Sequence, residues 1–387
     1  MLSHRRQGLV EGRPCRRRSR GVLIAAVCGA GLLAPVSLSA SAIASPPRGA
    51  SSSTKWSIAD PPYSTSSTVP FAPLNAISAI SPSDVWAVGQ ANGSLLTENW
   101  NGAKWSSVAL PKGPCSTFEA DCVLTGISGD ATNDVIATGN GEIAESSGWV
   151  VIPLAFHWSG SAWAAMNVPS GVPDGAMEHV QAFSPTDAWA VGVAFSGSTE
   201  TVSAVHWNGT IWTEVPTSFS TTKALTINAI SGSSASDIWV VGETETGGYH
   251  DRKFTSVILH YDGFTWSNAT VPDHSGLLDV DALSPTDAWA VAADGSILNW
   301  NGSTWTVKTQ VPYASIVEAL SPTDVWVGGI VSLAHYDGSS WSTTATPSGI
   351  DEFNGGAALT PGSIWFAGIA YKSNGDEVPA VLSTTDG

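Results

Sequence analysis

The sequence predicts an all-β fold, a seven-bladed β-propeller, and repeats are the first observation behind that prediction. The segment Ser-Pro-Thr-Asp-Ala-Trp-Ala-Val stands at 184–191 and again, letter for letter, at 284–291. Near-copies begin at residues 81, 234 and 321, and degenerate copies begin at residues 131 and 360. A unit of this length that recurs seven times is typical of propeller blades.

Each unit has the pattern of four short antiparallel strands, which is the second observation. The first strand ends Ala-[Ile/Leu/Phe]-Ser, as at 229–231, and leads into the Ser-Pro-Thr-Asp turn. Proline presets φ in that turn, and we expect the aspartate to accept hydrogen bonds from nearby backbone amides. The second strand ends on glycine, and the third ends on an aromatic residue followed by Asn-Gly or Asp-Gly, which favours a tight hairpin. A tryptophan then opens the fourth strand.

The two ends of the repeat region supply the third observation. Thr385-Asp386-Gly387 stops where the other units continue into a strand that opens on tryptophan. Lys55-Trp56-Ser57 is such a strand with no third strand before it. We therefore expect residues 54–387 to form one closed ring, in which the N-terminal strand completes the last blade.

Tryptophan and histidine residues follow the repeat. Of the 18 tryptophans, only Trp149 falls outside a repeated strand position, so we expect the others in the core between blades and not in sugar-stacking platforms. One third-strand position holds histidine in four blades and asparagine in two others: His157, His206, His260, His335, Asn99 and Asn299. Histidines in four different blades cannot converge on one metal, so they are expected to be structural.

Residues 1–44 have the pattern of a secretory signal peptide. Seven arginines precede an apolar run from Val22 to Val36, and small residues lead to a cleavage site at Ala44. The run is short for a membrane span, although an uncleaved anchor is an open alternative. Arg17-Arg18 leaves the choice between the twin-arginine and the general export route open. Residues 45–53 read as a flexible linker. We expect a secreted, extracellular monomer, with the cell envelope as an alternative location.

Charge limits the classes of partner, and cysteine content limits the chemistry. Seven of the 16 Lys and Arg and one of the 33 Asp and Glu lie in the signal, which leaves nine basic and 32 acidic residues. Such a surface repels phosphate backbones, so we expect no nucleic-acid partner. Cys115 and Cys122 lie in one loop and are expected to form a disulfide. The alternative, a redox or metal pair, lacks the Cys-x-x-Cys spacing.

The segment Tyr261-Asp262-Gly263-Phe264-Thr265-Trp266, and more closely Ser383–Gly387, resembles the Asp-box (BNR-type) repeats of sialidase-like propellers. The chain is also similar to secreted bacterial propellers of the photosystem-assembly-factor-like group. This resemblance implies a propeller with at most a binding role. Sialidases clamp a sugar carboxylate with three arginines, and beyond the signal this chain has only Arg48 and Arg252. Sialidase chemistry is therefore excluded, as is a galactose-oxidase-type copper centre, because both cysteines belong to one loop.

Two regions are candidate sites. Loops between second and third strands share a face with the connections between blades, and the longest of them belong to blades 2 to 4. We expect this face to bind a protein or glycan partner, unless these are simply solvated loop tips. The predicted binding residues are Trp149, Glu178, Tyr249, His250, Asp251, Arg252 and Lys253.

The central channel is the second candidate. The residue before Ala-[Ile/Leu/Phe]-Ser in each first strand, together with the residue two positions earlier, predicts the channel lining: His179, Gln181, Asn228, Asp279, Asp281 and Glu318. Its three carboxyl groups belong to adjacent blades and suit a calcium ion or an acid/base pair, although polar lining is a simpler interpretation. We expect no resident cofactor.

These observations favour a secreted, non-catalytic binding or scaffold propeller. One alternative is a carbohydrate-active enzyme, a hydrolase or lyase, that uses the channel carboxyl groups. Another is a structural protein of the cell envelope.

Overall fold

The computed structural model describes residues 55–59, 61–62, 71–113, 115, 121–145, 148–169, 172, 175, 177–248, 251–272 and 275–385. All named elements within these ranges are β-strands, arranged in seven sheets that form a ring. The predicted fold class, a seven-bladed β-propeller, is confirmed. The predicted signal peptide and linker, and the last two residues of the chain, lie outside the described ranges.

The strands of blades 1 to 4 run in chain order from the channel outwards. Blade 1 contains β2 (Leu74–Ser81), β3 (Asp84–Ala91), β4 (Ser94–Trp100) and β5 (Trp105–Ser107). Blade 2 contains β6 (Asp121–Ala131), β7 (Asp134–Glu145), β8 (Gly148–Trp158) and β9 (Trp163–Ala165). Blade 3 contains β10 (His179–Ser184), β11 (Asp187–Ser196), β12 (Thr199–Trp207) and β13 (Trp212–Glu214), and β14 (Ser220–Thr221) also pairs with β12. Blade 4 contains β15 (Ala224–Ser234), β16 (Asp237–Thr246), β17 (Lys253–Tyr261) and β18 (Trp266–Asn268).

Blades 5 to 7 follow the same order. Blade 5 contains β19 (Leu277–Ser284), β20 (Asp287–Ala292), β21 (Ser296–Trp300) and β22 (Trp305–Gln310). Blade 6 contains β23 (Ala314–Ser321), β24 (Asp324–Gly329), β25 (Ser332–Tyr336) and β26 (Trp341–Ala345). Blade 7 contains β27 (Glu352–Thr360), β28 (Ser363–Tyr371), β29 (Glu377–Thr385) and, as its fourth strand, β1 (Lys55–Ala59).

The N-terminal strand closes the ring, as predicted. β1 pairs antiparallel with β29, and Trp56 stands opposite Thr384. The Trp56 ring lies 5.8 Å from the ring of Trp326 in blade 6. The same contact, from a second-strand tryptophan to the fourth-strand tryptophan of the next blade, recurs around the ring: Trp86–Trp163 at 5.2 Å, Trp189–Trp266 at 5.8 Å, Trp239–Trp305 at 5.1 Å, Trp289–Trp341 at 6.0 Å and Trp365–Trp105 at 6.0 Å. The phased tryptophans are therefore core residues between blades.

The turn aspartates pair with the third strand, and the sequence-based expectation of bonds to backbone amides was wrong. Oδ1 of Asp237 lies 2.7 Å from Nε2 of His260, whose ring stacks on Trp239 at 4.2 Å. Where the third strand carries asparagine, as at Asn299, its amide donates to the turn aspartate instead. The first serine of the turn accepts the backbone bond, as when Thr186 N donates to Ser184 Oγ at 3.3 Å. In this short turn the nearby backbone N–H already donates to the serine Oγ. The aspartate carboxylate therefore bonds to the side chain of the third strand.

The glycine at the end of the second strand allows close approach of backbone. A Cβ at Gly242 would lie 2.1 Å from the carbonyl oxygen of Thr226, and one at Gly368 would lie 1.9 Å from that of Glu352. Both carbonyls belong to the first strand of the same blade, next to a β-bulge. Any side chain at these glycines would push the first strand away from the second.

Candidate functional site

The first strands β2, β6, β10, β15, β19, β23 and β27 surround the channel, and each contacts the next. Their pairing with the second strand decides which side chains share a level. The residues opposite the second-strand tryptophan, or opposite Ile136 in blade 2, are Ser78, Ser128, Gln181, Ser231, Asp281, Glu318 and Ala357. Gln181, Asp281 and Glu318 of the predicted lining therefore share one ring.

The placement of Asn228 in that ring was wrong. Ser231 occupies the position in blade 4, and Asn228 lies three residues earlier, at the bulge between Ile227 and Ala229. The first strands of blades 2 and 4 each have 11 residues. The short sequence that ends the first strand in other blades therefore lies inside the strand in these two. His179 and Asp279 form another level, opposite Val191 and Val291.

Side chains of the ring that lies opposite the second-strand tryptophans bond to the next blade and so hold consecutive first strands together. Ser231 Oγ accepts a hydrogen bond from the backbone N–H of Ala282 in the next blade at 3.0 Å. Asp281 Oδ2 accepts in the same way from Ala319 at 2.7 Å, and Glu318 accepts from the backbone of Ala358. These two carboxyl groups therefore occupy a position that serine fills in other blades.

Residues at the first-strand bulges, together with His179 and Asp279, make a second set of bonds to the next blade, in which most side chains donate. Asn228 Nδ2 donates to the Leu277 carbonyl at 2.7 Å, and His179 Nε2 lies 3.0 Å from the Ile227 carbonyl oxygen. Asn75, Thr125, Ser315 and Asn354 donate to the next blade in the same manner. Between blades 5 and 6 the bond comes from Val317 N to Asp279 Oδ2 at 2.9 Å. Every junction between consecutive first strands thus has at least one side-chain bond.

Burial controls protonation in the channel. It raises the pKa of Asp279 to about 8, and the neighbouring Asp281 carboxylate adds to that rise. Burial also raises the pKa of Asp281, and raises that of Glu318 well above its usual value with help from both aspartates. Burial lowers the pKa of His179 to about 4. These shifts all favour the uncharged form of each group.

That protonation does not favour calcium, which prefers ionised oxygen ligands. Among the described residues, no group of three or more His, Cys, Asp or Glu side chains is arranged to hold a metal ion. Calcium in the channel stays a prediction.

The hairpins between second and third strands, together with the connections between blades, form what we call the loop-bearing face. Antiparallel pairing within each blade places both kinds of loop on this side, and the Ser-Pro-Thr-Asp and Asn-Gly turns on the opposite turn face. The hairpins are long in blades 2 to 4: β7 has 12 residues and β11 and β16 have 10 each, whereas β20 and β24 have six.

The structure scatters the predicted binding residues over this face. Asp251 Oδ1 accepts from Gly248 N at 2.6 Å, and Arg252 Nε lies 3.3 Å from Glu245 Oε1. Lys253 begins β17, and the backbone of Trp149 pairs with Ala144. Tyr249 and His250 lie outside the described residues.

Glu178 lies beside the first strands of the channel, not at a loop tip. Its N–H donates to the Val191 carbonyl, and its carbonyl accepts from Thr125 Oγ1 at 2.5 Å. Burial raises the pKa of its carboxyl to about 8.

The predicted pair Cys115 and Cys122 forms a disulfide in the structure. Both sulfurs lie against Gly141 of β7, where a Cβ would stand 2.7 Å from Cys122 Sγ. The disulfide therefore ties the connection between blades 1 and 2 to β6 of blade 2, beside β7.

The sequence analysis missed a group of exposed apolar side chains on the loop-bearing face. We call it the apolar patch: Phe71, Tyr313, Ile330, Val331 and Tyr371. Ile330 and Val331 stand at the tip of the short β24–β25 hairpin, where a polar turn is usual. An apolar pair in place of the usual polar turn residues was the sequence signal that could have predicted this patch.

Two grooves in the described part of the chain lie elsewhere. A groove of about 480 Å³ between blades 4 and 5 is lined by Trp239, His260 and Trp305, among others. A groove of about 570 Å³ between blades 7 and 1 is lined by Trp100, Trp105 and Trp365, among others. Both lie at the wedge between neighbouring blades, where core tryptophans meet polar residues of the turns and outer strands.

Fold and site together define a seven-bladed β-propeller with a polar, internally bonded channel. Within the described residues, no helix is long and apolar enough to pass through a membrane.

Solved structures agree with this class. "YCF48 bound to D1 peptide" is 15% identical, with a TM-score of 0.57 over 86% of this chain and 96% of that one. "YCF48 from Cyanidioschyzon merolae" is 14% identical, with a TM-score of 0.54 over 85% and 98%. The "WD40 beta propeller domain of Doa1" is 9% identical, with a TM-score of 0.55 over 86% and 98%. No family model and no curated protein matches the chain. The resemblance to the photosystem-assembly-factor-like group is confirmed at the level of the fold, and the sialidase-like resemblance stays a prediction.

Proposed function

We propose that this protein is an exported, non-catalytic binding propeller that docks a protein partner on its loop-bearing face. The observation that carries the proposal is the apolar patch on that face, because large exposed apolar groups on a rigid scaffold mark interaction surfaces. YCF48, a propeller of similar fold, binds a peptide, which supports a protein partner over a glycan. Export rests on the pattern of residues 1–44.

The channel contacts count against the enzyme alternative. Asp279, Asp281 and Glu318 each accept a backbone hydrogen bond that joins two blades. An acid/base pair would have to leave those bonds to reach a substrate. We therefore treat turnover of a polysaccharide as an outcome to be tested: activity in a glycan screen that is lost in Asp281→Asn or Glu318→Gln would contradict the proposal.

Site-specific photo-crosslinking tests the proposal directly. A benzophenone amino acid replaces an exposed residue on each face: Ser198 and Ser373 on the loop-bearing face, and Lys104 on the turn face as the matched control. The variants are expressed in the source cells and irradiated. We expect discrete protein adducts from one or both loop-face positions and none from Lys104. Adducts of equal yield from both faces, or from Lys104 alone, would refute the docking face.

A further inference from the structure

The apolar patch spans consecutive loops of the loop-bearing face in blades 6, 7 and 1. The carbonyl of Tyr313 lies beside Gly329, which leads into Ile330 and Val331. Val331 O accepts a hydrogen bond from Thr346 N in the connection between blades 6 and 7. Glu377 O accepts one from Ala72 N in the connection between blades 7 and 1. Tyr371 stands opposite Glu377 in the β28–β29 hairpin. The five side chains thus occupy consecutive loops of one face, with exposures of 36% for Phe71, 67% for Tyr313, 40% for Ile330, 54% for Val331 and 46% for Tyr371.

Tyr313 is held in an unfavourable backbone conformation. Its φ is 58°, and Asn92 is the only other non-glycine residue with positive φ in the described part of the chain. A bulky residue is strained in this left-handed region because its Cβ crowds the following carbonyl oxygen. Strain of this kind, at an aromatic residue that is two-thirds exposed, is typical of a side chain presented to a partner.

Acidic residues border the patch in blade 7. Asp351, Glu352, Asp376 and Glu377 come from the two loops that flank Tyr371, and Asp351 Oδ2 accepts the Tyr371 N–H at 2.6 Å. Burial raises the pKa of Glu352, and the nearby Glu377 carboxylate raises it further. Like charges held this close are relieved by an added cation. Lys372 is the one basic residue between them, so the border stays net acidic and is complementary to lysine or arginine.

We propose that the apolar patch binds an extended peptide segment of a partner protein in which apolar residues are flanked by lysine or arginine. This inference rests on the proposed function and names the chemistry of its partner. A second copy of the chain fits poorly, because two such borders would repel each other across the interface. A neutral glycan also fits poorly, because it carries no cation for the acidic border. An extended segment can cover several shallow loops and still place its cations on the border.

Fluorescence anisotropy with the 387-residue chain tests the inference. The probe is a labelled peptide of about ten residues that alternates lysine with leucine and phenylalanine. One control peptide has glutamate in place of lysine, and a second has serine in place of leucine and phenylalanine. We expect saturable binding of the first peptide that weakens as salt is added, and binding at least about tenfold weaker for both controls.

Variants locate the binding on the patch. Val331→Ser with Tyr371→Ser removes apolar area, and Asp376→Asn with Glu377→Gln removes charge while keeping side-chain size. We expect the first pair to weaken binding about tenfold or more, and the second to weaken it and to flatten its salt dependence. Phe264→Ser, on the turn face and 89% exposed, is the matched control and should change nothing. Guanidinium unfolding of each variant checks that it is folded.

The possible results separate the inference from the proposed function. Equal binding of the acidic peptide, unchanged binding by both patch variants, or an equal loss in Phe264→Ser would overturn the inference. If crosslinks form at Ser198 while the basic peptide fails to bind the patch, the docking face stands and the partner chemistry assigned here is wrong. If neither loop-face position crosslinks and the peptide fails, both proposals fall.

Discussion

Replacing Glu98 by leucine should stabilise the protein. Glu98 lies in β4 and is fully buried, and neither carboxyl oxygen has a hydrogen-bond partner within the described residues. It stands opposite Ala87, in the core between blades 7 and 1 that also contains Leu96. At the equivalent position every other blade has an apolar residue: Phe156, Val205, Leu259, Leu298, Ala334 and Leu382. Leucine therefore fits the architecture of the site.

The magnitude follows from protonation. Burial raises the pKa of Glu98 from 4.5 to about 8. The folded protein therefore binds a proton that the unfolded chain releases above pH 4.5, and stability falls as pH rises from about 4.5 to about 8. At pH 7 the proton uptake costs about 3 kcal/mol. The neutral acid, still without a partner, costs on the order of 1 to 3 kcal/mol more at any pH.

Guanidinium unfolding, followed by tryptophan fluorescence at pH 5, 7 and 8.5, measures both contributions. We expect Glu98→Leu to exceed the wild type by about 3 kcal/mol or more at pH 7, and by less at pH 5. Glu98→Gln is the control, because it keeps the polar burial but cannot titrate. It should remove the part of the pH dependence that Glu98 causes and keep part of the instability. If the wild type and Glu98→Gln lose stability in parallel between pH 5 and 8.5, the carboxyl does not bind a proton on folding and the reasoning is wrong.

Three further changes test the blade architecture by the same unfolding assay. His260→Asn should cost less than about 1 kcal/mol of unfolding free energy, because blades 1 and 5 use asparagine there. His260→Leu leaves the buried Asp237 carboxylate without its histidine partner and should cost about 3 kcal/mol. Equal losses of stability in the two variants would contradict the pairing. Trp56→Ala should cost about 3 kcal/mol, because its ring stacks on Phe366 at 5.7 Å where the chain ends meet, and Trp56→Phe should recover part of this; an unchanged midpoint for the alanine variant would contradict closure by β1. Gly242→Ala should destabilise by several kcal/mol through its clash with a carbonyl, against less than about 1 kcal/mol for alanine at Gly113, which has open space around it; a small loss at Gly242 would show that the first strand moves aside easily.

The blade pattern could be predicted because its letters are imposed within each blade. Glycine ends the second strand where a carbonyl approaches, and a tryptophan opens the fourth strand where the wedge to the preceding blade must be filled. These demands recur from blade to blade, although blade 5 has Ala292 in place of the glycine, so they appear as repeats. Closure could be predicted for the same reason, since Trp56 fills the place that Trp105 and Trp305 fill elsewhere.

The repeated sequence could not show which first-strand side chains lie at the same height in the channel. In blade 4 the letters Ala-Ile-Ser occur at 229–231, one bulge before the strand ends, and only the pairing of Ser231 with Trp239 shows which residue faces Asp281. Glu98 escaped notice for a related reason. Alternation along β4 predicts one buried face, whereas a blade between two neighbours buries both faces of its central strands.

Blade length connects the scaffold to the proposed docking surface. Blades 5 and 6 have the shortest second strands, so their hairpins end low on the loop-bearing face, while the 12-residue β7 and its neighbours rise on the other side of the channel. Beside that low sector the face exposes the backbone-strained Tyr313 and the apolar tip of the β24–β25 hairpin. Long hairpins there would cover both. The shortening of the repeats and the exposure of apolar groups are therefore one feature, and lengthening the β24–β25 hairpin with a polar insertion should abolish peptide binding while leaving the ring as stable as before.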